Sequence, residues 1–268
     1  METDTKNKWG RFMNKNVDSR DREDFEDRYI IEGRNSVFEA LRSGRTIDKV
    51  LYADGDANLN HIIAAAKSAG TVVTKCDRRK LDALSVSGAH QGVMAFVAAH
   101  EYGTVDDVFV FAKKTGRPPL IVVCDEISDP HNLGAIIRSA EASGAHGVII
   151  PKRRNAGLTA VVAKVASGAL EHIPIVRVSN IPNTLNELKK RGIWIFGTGI
   201  GASSNLYQTD LTGPSAIVIG SEGEGMGRLV TERCDVVMDI PMLGKTQSLN
   251  ASAAAAVVLF EALRQRIK

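Results

Sequence analysis

Two loops near the C-terminal end of the chain concentrate residue types that bind ligands. The first, residues 220–227 (GSEGEGMG), holds four glycines and two carboxylates in eight residues. The second, residues 241–250 (PMLGKTQSLN), ends in Ser248 and Asn250, just before an alanine-rich stretch that predicts a long helix. Glycine lets backbone amides and carbonyls approach a ligand closely, and a helix N-terminus exposes unpaired donors. The two loops together therefore predict a binding site.

Each loop also has a simpler interpretation. The glycine loop follows an apolar strand, as a dinucleotide phosphate cradle does, but the carboxylates of Glu222 and Glu224 would repel a pyrophosphate. Ser248 and Asn250, taken singly, could be no more than helix N-caps, the commonest role of such residues before a helix. Taken together, the loops favour a pocket for an uncharged base and ribose beside a cationic centre.

The elements that must position these loops follow from the apolar pattern of the C-terminal half. Six short apolar strands alternate with helical stretches: Leu120–Cys124, Gly147–Ile150, Ile173–Val178, Trp194–Gly197, Ala216–Ile219 and Val236–Ile240. Strands this apolar, separated by helices, indicate an α/β fold with a mainly parallel sheet covered on both faces. Ligands of such sheets bind beyond the carboxyl ends of the strands, which is where both loops lie.

A smaller α/β unit is predicted at residues 29–100. Its strands are expected at 29–31, 49–53, 71–74 and 92–98, and its helices at 35–41, 59–69 and 79–84. Residues 101–119, with two glycines and a Pro-Pro pair, predict a linker. Residues 1–28 carry charges of both signs at about half of their positions, which predicts a disordered charged tail.

Composition narrows the class of protein. Of the 268 residues, 44% are hydrophobic and 24% charged, as in an ordinary globular protein, and the net charge of +3 does not by itself indicate nucleic-acid binding. Cys76, Cys124 and Cys234 lack metal-site spacing and are expected to be small buried hydrophobes in a reducing compartment. No apolar run approaches a membrane span and no signal-peptide pattern opens the sequence. We therefore expect a cytoplasmic protein without a metal.

Three motifs resemble those of a known family. IGSEGEGM at 219–226 and IPMLGKTQSLNASAAAAVVLFEALRQ at 240–265 are similar to the second and third motifs of SpoU/TrmH-type RNA ribose methyltransferases, in the SPOUT superfamily. The first motif of that family has an Asn, a Gly two residues on and an Arg six residues on. The segment DPHNLGAIIRS supplies them as Asn132, Gly134 and Arg138. Because the order also agrees, a chance match is very improbable.

The resemblance implies an α/β C-terminal methyltransferase domain at 120–268 with a deep trefoil knot, and a ribosomal-protein-like RNA-binding domain at 29–100. It implies transfer of a methyl group from S-adenosylmethionine to an RNA ribose 2′-hydroxyl, and a homodimer through the C-terminal domain. The family's catalytic and target-binding positions correspond to Asn132, Arg138, Glu222, Ser248 and Asn250. The family's donor site corresponds to Gly220, Ile240 and Leu249, with Thr198 and Met242 as neighbours.

Arg138 is predicted to lie on a helix that begins at Leu133, beside the buried stripe rather than in it. It could be a surface arginine near Glu141. A guanidinium with a pKa above about 12 rarely gives up its proton, so within the family role we expect phosphate anchoring and charge stabilisation rather than general-base catalysis.

Arg34 and His90 each lie in a glycine-flanked turn of the N-terminal unit, and we expect them to contact RNA rather than to form an ordinary solvated surface. The N-terminal unit and the His-Gln-Gly and Ser-Leu-Asn stretches resemble the bacterial enzymes that modify 23S rRNA. This similarity favours a guanosine of 23S rRNA as the target. The alternatives are a tRNA 2′-O-methyltransferase, or an RNA-binding ribosome-assembly protein in which catalysis is secondary or lost.

Overall fold

The structure is a computed structural model that describes residues 30–53, 56–85, 87–202, 204–246 and 248–267. The chain divides into two compact units between Val97 and Ala98. This division lies close to residue 100, where the sequence predicts the end of the N-terminal domain. The charged stretch 1–28, for which a disordered tail is predicted, lies outside the described residues.

The N-terminal unit is a four-stranded sheet with helices on both faces. Its strands, in the order β1-β4-β2-β3, are β1 Ile30–Glu32, β2 Ile47–Ala53, β3 Val72–Cys76 and β4 Val93–Val97. Its helices are α1 Arg34–Arg42, α2 Asn60–Ser68 and α3 Arg78–Leu84. Val37 and Ile62 of α1 and α2 are buried on one face, and Leu81 of α3 is buried on the other. Every strand and helix predicted for this unit is present, with ends shifted by at most two residues.

The second unit contains the larger sheet. Its strands are β5 Leu120–Cys124, β6 Gly147–Pro151, β7 Ile175–Val178, β8 Trp194–Thr198, β9 Ser204–Asn205, β10 Ser215–Ile219 and β11 Val236–Asp239. Its helices are α4 Val105–Thr115, α5 Pro130–Ala142, α6 Ala160–Ala166, α7 Ile181–Lys190, α8 Arg228–Thr231 and α9 Ala251–Arg266. The strand order is β7-β6-β5-β10-β8-β11-β9, and all of these neighbours pair in parallel.

Helices cover both faces of this sheet. Helices α5, α6 and α9 pack on one face, and α4 and α7 pack on the other. Alternate residues of β5 supply the two cores, with Val122 facing the first and Ile121 the second. The predicted parallel α/β architecture is therefore confirmed, and the carboxyl ends of the strands meet at one edge. The trefoil knot that the family resemblance implies stays a prediction.

The stretch 101–119, for which we predicted a linker, contains helix α4. Thr104 and Asp107 cap its start reciprocally: the Thr104 hydroxyl accepts from the Asp107 amide at 3.3 Å, and Asp107 accepts from the Thr104 amide at 2.7 Å. Val108 and Ala112 bury one side of the helix. Gly116, with φ +67°, is its left-handed C-cap. The two glycines on which the linker prediction depended therefore flank a helix.

Helix α5 begins three residues earlier than the sequence prediction. The Asp129 carboxylate accepts from the His131 amide at 2.8 Å, and Pro130 occupies the first turn, where proline is favoured. As predicted, Leu133, Ile137 and Ala140 are buried. The earlier start includes Asn132 in the first turn of the helix.

His146 joins the end of α4 to the start of β5. Its ring is buried; Nδ1 accepts from the Leu120 amide at 3.0 Å, so Nε2 carries the proton and donates to the Thr115 hydroxyl at 2.8 Å. Burial, with the positive charges of Arg117 and Arg266 near by, lowers the pKa of His146 to about 4. The neutral ring is the form that fits, because protonated Nδ1 would face another donor.

This histidine makes the stability of the fold depend on pH. Between its usual pKa of 6.5 and about 4, the unfolded chain binds a proton at His146 that the folded chain does not. The stabilisation is therefore complete above pH 6.5 and is lost as the pH falls towards 4, by up to about 3 kcal/mol. Urea unfolding of the wild type and His146→Gln, compared from neutral to acid pH, measures this component.

The variant should have a shallower pH dependence than the wild type, whereas His172→Gln, at an exposed histidine, should retain the full dependence. Equal pH slopes in His146→Gln and the wild type would contradict the assignment.

Candidate active site

Three of the five predicted donor-site residues meet at the carboxyl edge of the larger sheet. Thr198 ends β8, Gly220 follows β10, and Ile240 follows β11. The Thr198 hydroxyl donates to the Val218 carbonyl at 3.0 Å, and the amide of the next residue donates to the Met238 carbonyl at 3.0 Å. The strand register thus holds these backbone segments side by side.

The other two predicted donor-site residues, Met242 and Leu249, lie in the segment 241–250 that joins β11 to α9. Their side chains are exposed. No hydrogen bond or core contact among the described residues fixes these two side chains.

The glycine loop is a tight hairpin. Ser221 and Gly225 exchange two backbone hydrogen bonds of 3.0 Å, which leaves Glu222, Gly223 and Glu224 at the tip. Gly223 and Gly225 have φ values of +89° and +69°, in the left-handed region that favours glycine. A Cβ at Gly220 would lie 2.3 Å from the Gly225 carbonyl carbon. The glycines are therefore required by the loop's own geometry, which presents Glu222.

Glu222 is the centre of a hydrogen-bonded cluster. Its Oε1 accepts from Asn132 Nδ2 at 3.1 Å, from the Ala251 amide at 3.1 Å, and from Asn250 Nδ2. Asn250 Nδ2 also donates to Asn132 Oδ1 at 2.9 Å. Three segments that are far apart in sequence, the start of α5, the glycine loop and the start of α9, converge on this one oxygen.

The orientation of the Asn250 side chain follows from its second role as the N-cap of α9. Its Oδ1 accepts from the Ser252 amide at 3.0 Å and from the Ala253 amide at 3.3 Å. With the oxygen directed to the helix, Nδ2 must face Glu222 and Asn132. Asn250 is therefore both the cap of α9 and a member of the Glu222 cluster, and its catalytic or target-binding role stays a prediction.

Arg138 and Ser248 lie outside this cluster. The Arg138 side chain is exposed and has no hydrogen bond or ion pair with another described residue. It follows Asn132 by six residues on α5, which places it about 9 Å along the axis and about 120° around it. Ser248 is exposed and forms no hydrogen bond within the described part of the chain.

The side chains of Arg34 and His90 form contacts within the N-terminal unit itself. The Arg34 guanidinium pairs with Asp56 and donates to the Gln91 carbonyl at 3.3 Å. His90 is 2% exposed; its Nδ1 accepts from the Gly92 amide at 3.0 Å, and its Nε2 lies 2.8 Å from Asp82. Both residues stabilise a turn, and burial keeps the His90 ring away from the surface at which RNA contact is expected.

Sequence reasoning missed Asp125. This buried carboxylate follows β5 and accepts from the Gly227 amide at 2.8 Å, so it fixes the base of the glycine loop. The sequence contains a signal for Asp125, because it is a charged residue directly after an entirely apolar strand, at the ligand-binding edge.

The glycine of the first motif has a packing role. A Cβ at Gly134 would lie 2.7 Å from the Cβ of Val165 and 3.0 Å from the Val162 carbonyl oxygen. Gly134 therefore allows α5 to approach α6 closely and so helps to place Asn132. Gly134 makes none of the contacts of the Glu222 cluster, and it affects the site by setting the position of α5.

The chain is similar to known proteins. Residues 119–260 match the model described as the SpoU rRNA Methylase family, and residues 30–103 match that for RNA 2′-O ribose methyltransferase substrate binding. The Bacillus subtilis protein YacO, assigned by its name to TrmH family tRNA/rRNA methyltransferases, is 48% identical over 89% of this chain and 96% of its own length. The chain belongs to the SpoU/TrmH family of RNA methyltransferases. The family resemblance of the three motifs is thereby confirmed.

Solved structures agree with this assignment. The SpoU methyltransferase AviRb of Streptomyces viridochromogenes, crystallised with S-adenosylmethionine (AdoMet), has a TM-score of 0.58 and 26% identity, covering 92% of this chain and 94% of its own. The A. aeolicus TrmH/SpoU tRNA modifying enzyme has a TM-score of 0.51 and 30% identity, covering 59% and 84% respectively. The α/β methyltransferase fold with an N-terminal substrate-binding domain is thus established for this member of the SpoU/TrmH family.

The described residues offer neither a metal centre nor a membrane-spanning helix. They contain no group of three or more His, Cys, Asp or Glu side chains suited to a metal ion. None of their helices combines the length and apolar character needed to cross a membrane.

The contact between Asp125 and Gly227 can be tested by substitution. Asp125→Ala leaves the Gly227 amide without its acceptor and should lower the free energy of unfolding by about 1–3 kcal/mol. Methyl transfer should fall as well, because the base of the Glu222 hairpin is released. Asp125→Asn keeps an acceptor oxygen and should recover most of both. Denaturant unfolding and a methyl-transfer assay on the three proteins test this, and wild-type values for Asp125→Ala would refute it.

Proposed function

We propose that the protein transfers the methyl group of AdoMet to a ribose 2′-hydroxyl of RNA, and that its target is a guanosine of 23S rRNA. The observation that carries the proposal is the convergence of Asn132, Glu222 and Asn250 beside the backbone segments at Thr198, Gly220 and Ile240. A hydrogen-bonding cluster for a hydroxyl-bearing target then adjoins a backbone edge suited to the donor.

The residues at that edge fit AdoMet chemically. The five predicted donor-site positions carry no charged side chain, which suits an uncharged adenine and ribose. Thr198, Gly220 and Ile240 are only partly buried, so their backbone groups are within reach of a ligand. The Glu222 carboxylate beside them favours the positive sulfonium, where a phosphate would be repelled. AdoMet supplies an already activated methyl group, and the AdoMet complex of AviRb supports this assignment.

The enzyme's own residues must position the target hydroxyl and relieve it of its proton. Glu222 Oε1 is occupied by its three donors, whereas Oε2 has no partner among the described residues. We assign Oε2 as the acceptor for the ribose hydroxyl. Asn132 and Asn250 hold the carboxylate in place before the target arrives, so its geometry does not have to form during the reaction.

Several observations support rRNA over tRNA as the target. The family model that matches the C-terminal unit bears the name of rRNA methylases, and a substrate-binding domain precedes it. The match to the A. aeolicus tRNA modifying enzyme covers only 59% of this chain. A tRNA target is the second candidate. The intact Glu222 cluster argues against a ribosome-assembly protein that has lost catalysis.

We further propose a cytoplasmic homodimer formed through the C-terminal domain. Helix α9 presents Ala253, Ala256, Val257 and Phe260 at helical spacing, and the Phe260 side chain is 48% exposed. A face of small residues around one large apolar side chain suits a close two-fold helix contact.

Two glutamates in the same hairpin provide a matched test of the catalytic cluster. Glu222→Gln removes the charge on which three donors converge, and methyl transfer should fall by about 10²–10³. Glu224→Gln, two residues away, is exposed and without a partner in the described chain, so its activity should stay near that of the wild type. Transfer of labelled methyl from AdoMet to rRNA measures both, and equal activities of the two variants would exclude the proposed role of Glu222.

Arg138 tests the RNA side of the site. Arg138→Ala should reduce methyl transfer by about 10²–10³ through loss of phosphate anchoring and charge stabilisation. The free energy of unfolding should change by no more than about 0.5 kcal/mol, because the side chain is exposed and unpaired within the described chain. AdoMet affinity, measured by calorimetry, should be unchanged, and Arg138→Lys should recover little because it lacks the planar fork. A parallel loss of AdoMet affinity would place Arg138 in the donor pocket instead.

A further inference from the structure

A second group of cations lies at the edge of the sheet that carries the Glu222 cluster. Lys152, Arg153 and Arg154 follow β6 in direct succession, and no acidic residue lies between Pro151 and Ala160. The motifs of the SpoU/TrmH family that identify this chain do not include these residues. Their position in the sheet, however, is informative.

The sheet places these cations near the catalytic cluster. All strands here are parallel, so β6 ends at the edge from which the Glu222 hairpin extends. Only β5 lies between β6 and β10 in the strand order. Neighbouring strands are about 4.8 Å apart, which puts the end of β6 about 10 Å from the base of the hairpin. Arg177 on β7 adds a further cation beside β6, since it pairs with Ile150.

Specific contacts fix the loop after β6 to the loop after β5. Arg154 forms an ion pair of 2.9 Å with Glu126, and the Ile127 amide donates to Asn155 Oδ1 at 2.8 Å. The Ala156 amide donates to the Ile127 carbonyl, also at 2.8 Å. Two separate loops therefore form one bonded unit, and the β5 loop in this unit leads directly into α5 and Asn132.

Both loops also contain strained backbone. Glu126 has φ +61° and Arg154 has φ +57°, a left-handed conformation that is uncommon for residues other than glycine. These two residues are the partners in the ion pair. Strain of this kind persists where the surroundings enforce it, and it concentrates at functional sites. The basic loop therefore has a defined position relative to the catalytic helix.

Within the loop 152–154, Arg153 is the arginine that is available to a ligand. Its neighbour Arg154 is engaged by Glu126, whereas Arg153 is exposed and has no hydrogen bond or ion pair with another described residue. An arginine offers a planar, bidentate donor set that matches the oxygens of a phosphate. Contacts of that kind position a nucleic acid without reading its sequence.

We propose that the loop 152–154 is a phosphate-binding subsite, in which Arg153 binds the RNA backbone next to the nucleotide that enters the Glu222 cluster. This inference rests on the proposed RNA ribose methylation, because that reaction brings a polyanion to this edge of the sheet. An acidic protein surface would also be attracted to the three charges. RNA is favoured because the subsite and the catalytic cluster share one edge and one bonded loop unit.

The test uses the full-length protein and a short fluorescein-labelled single-stranded RNA, with binding followed by anisotropy. Arg153→Ala should weaken RNA binding several-fold and should lower the slope of log affinity against log salt by about 0.7, the value for one phosphate contact. KM for rRNA should rise with kcat nearly unchanged, and AdoMet affinity and melting temperature should not change. Arg153→Lys should restore most of the salt slope, since it keeps the charge.

Arg233→Ala is the matched control. Arg233 is also exposed and unpaired within the described chain, but it lies before β11, at the opposite edge of the sheet. Its variant should behave as the wild type does. An unchanged salt slope and KM for Arg153→Ala, in an enzyme that methylates ribose, would overturn the subsite alone. Polyglutamate serves as a probe for an acidic protein. If it bound the wild type but not Arg153→Ala, while RNA bound both proteins equally, the loop would be a site for an acidic protein instead. Absence of ribose methylation by the wild type would refute the proposed function separately, because the RNA-binding comparison does not depend on turnover.

Discussion

The site depends on one carboxylate oxygen, Glu222 Oε1, which accepts hydrogen bonds from Asn132, Asn250 and the Ala251 amide. The three donors come from two parts of the chain, the start of α5 and the start of α9, and the carboxylate comes from a third, the glycine hairpin. The hairpin needs its glycines to present Glu222, α5 needs Gly134 to reach its place beside α6, and α9 needs Asn250 as its cap. Local backbone requirements and the geometry of the site are therefore met by the same residues.

The parallel sheet explains why these segments can meet. In a parallel sheet every strand ends at the same edge, so loops distant in sequence become neighbours there. Asp125 illustrates this arrangement. It follows β5 and accepts a hydrogen bond from the Gly227 amide at the base of the hairpin, because β5 and β10 are adjacent and in register. The loop after β6 uses it too, through the ion pair between Arg154 and Glu126. The loops at this edge form a rim, in which a hydrogen bond or an ion pair connects one loop to the next.

Sequence patterns predicted the elements well where periodicity and apolar runs dominate. Strand β5 has the predicted bounds, and Asn132, Glu222 and Asn250 come together as the motifs imply. The start of α5 was placed too late because the prediction followed the apolar stripe, whereas the helix begins at its cap, Asp129, and Pro130. Helix α4 was missed because its glycines and prolines were interpreted as a linker.

Side-chain roles that depend on burial could not be obtained from the sequence. A glycine-flanked turn predicts an exposed residue, yet His90 is buried because its two ring nitrogens have partners from α3 and from its own turn. The sequence likewise does not indicate which arginine in a run of basic residues forms an ion pair within the protein.

The distribution of charge along the rim has a physical consequence for substrate binding. Glu222 places negative charge at the hairpin, where a phosphate would be repelled, so the hairpin disfavours an RNA backbone lying across it. Cations that attract phosphates are found to one side, after β6, where Glu126 is engaged by Arg154. A nucleotide can then offer its uncharged ribose hydroxyl to Glu222 while its phosphates stay with the arginines. Under the proposed function, opposite charges at separate positions of one rim would select the orientation of the RNA that brings the ribose hydroxyl to the methyl donor.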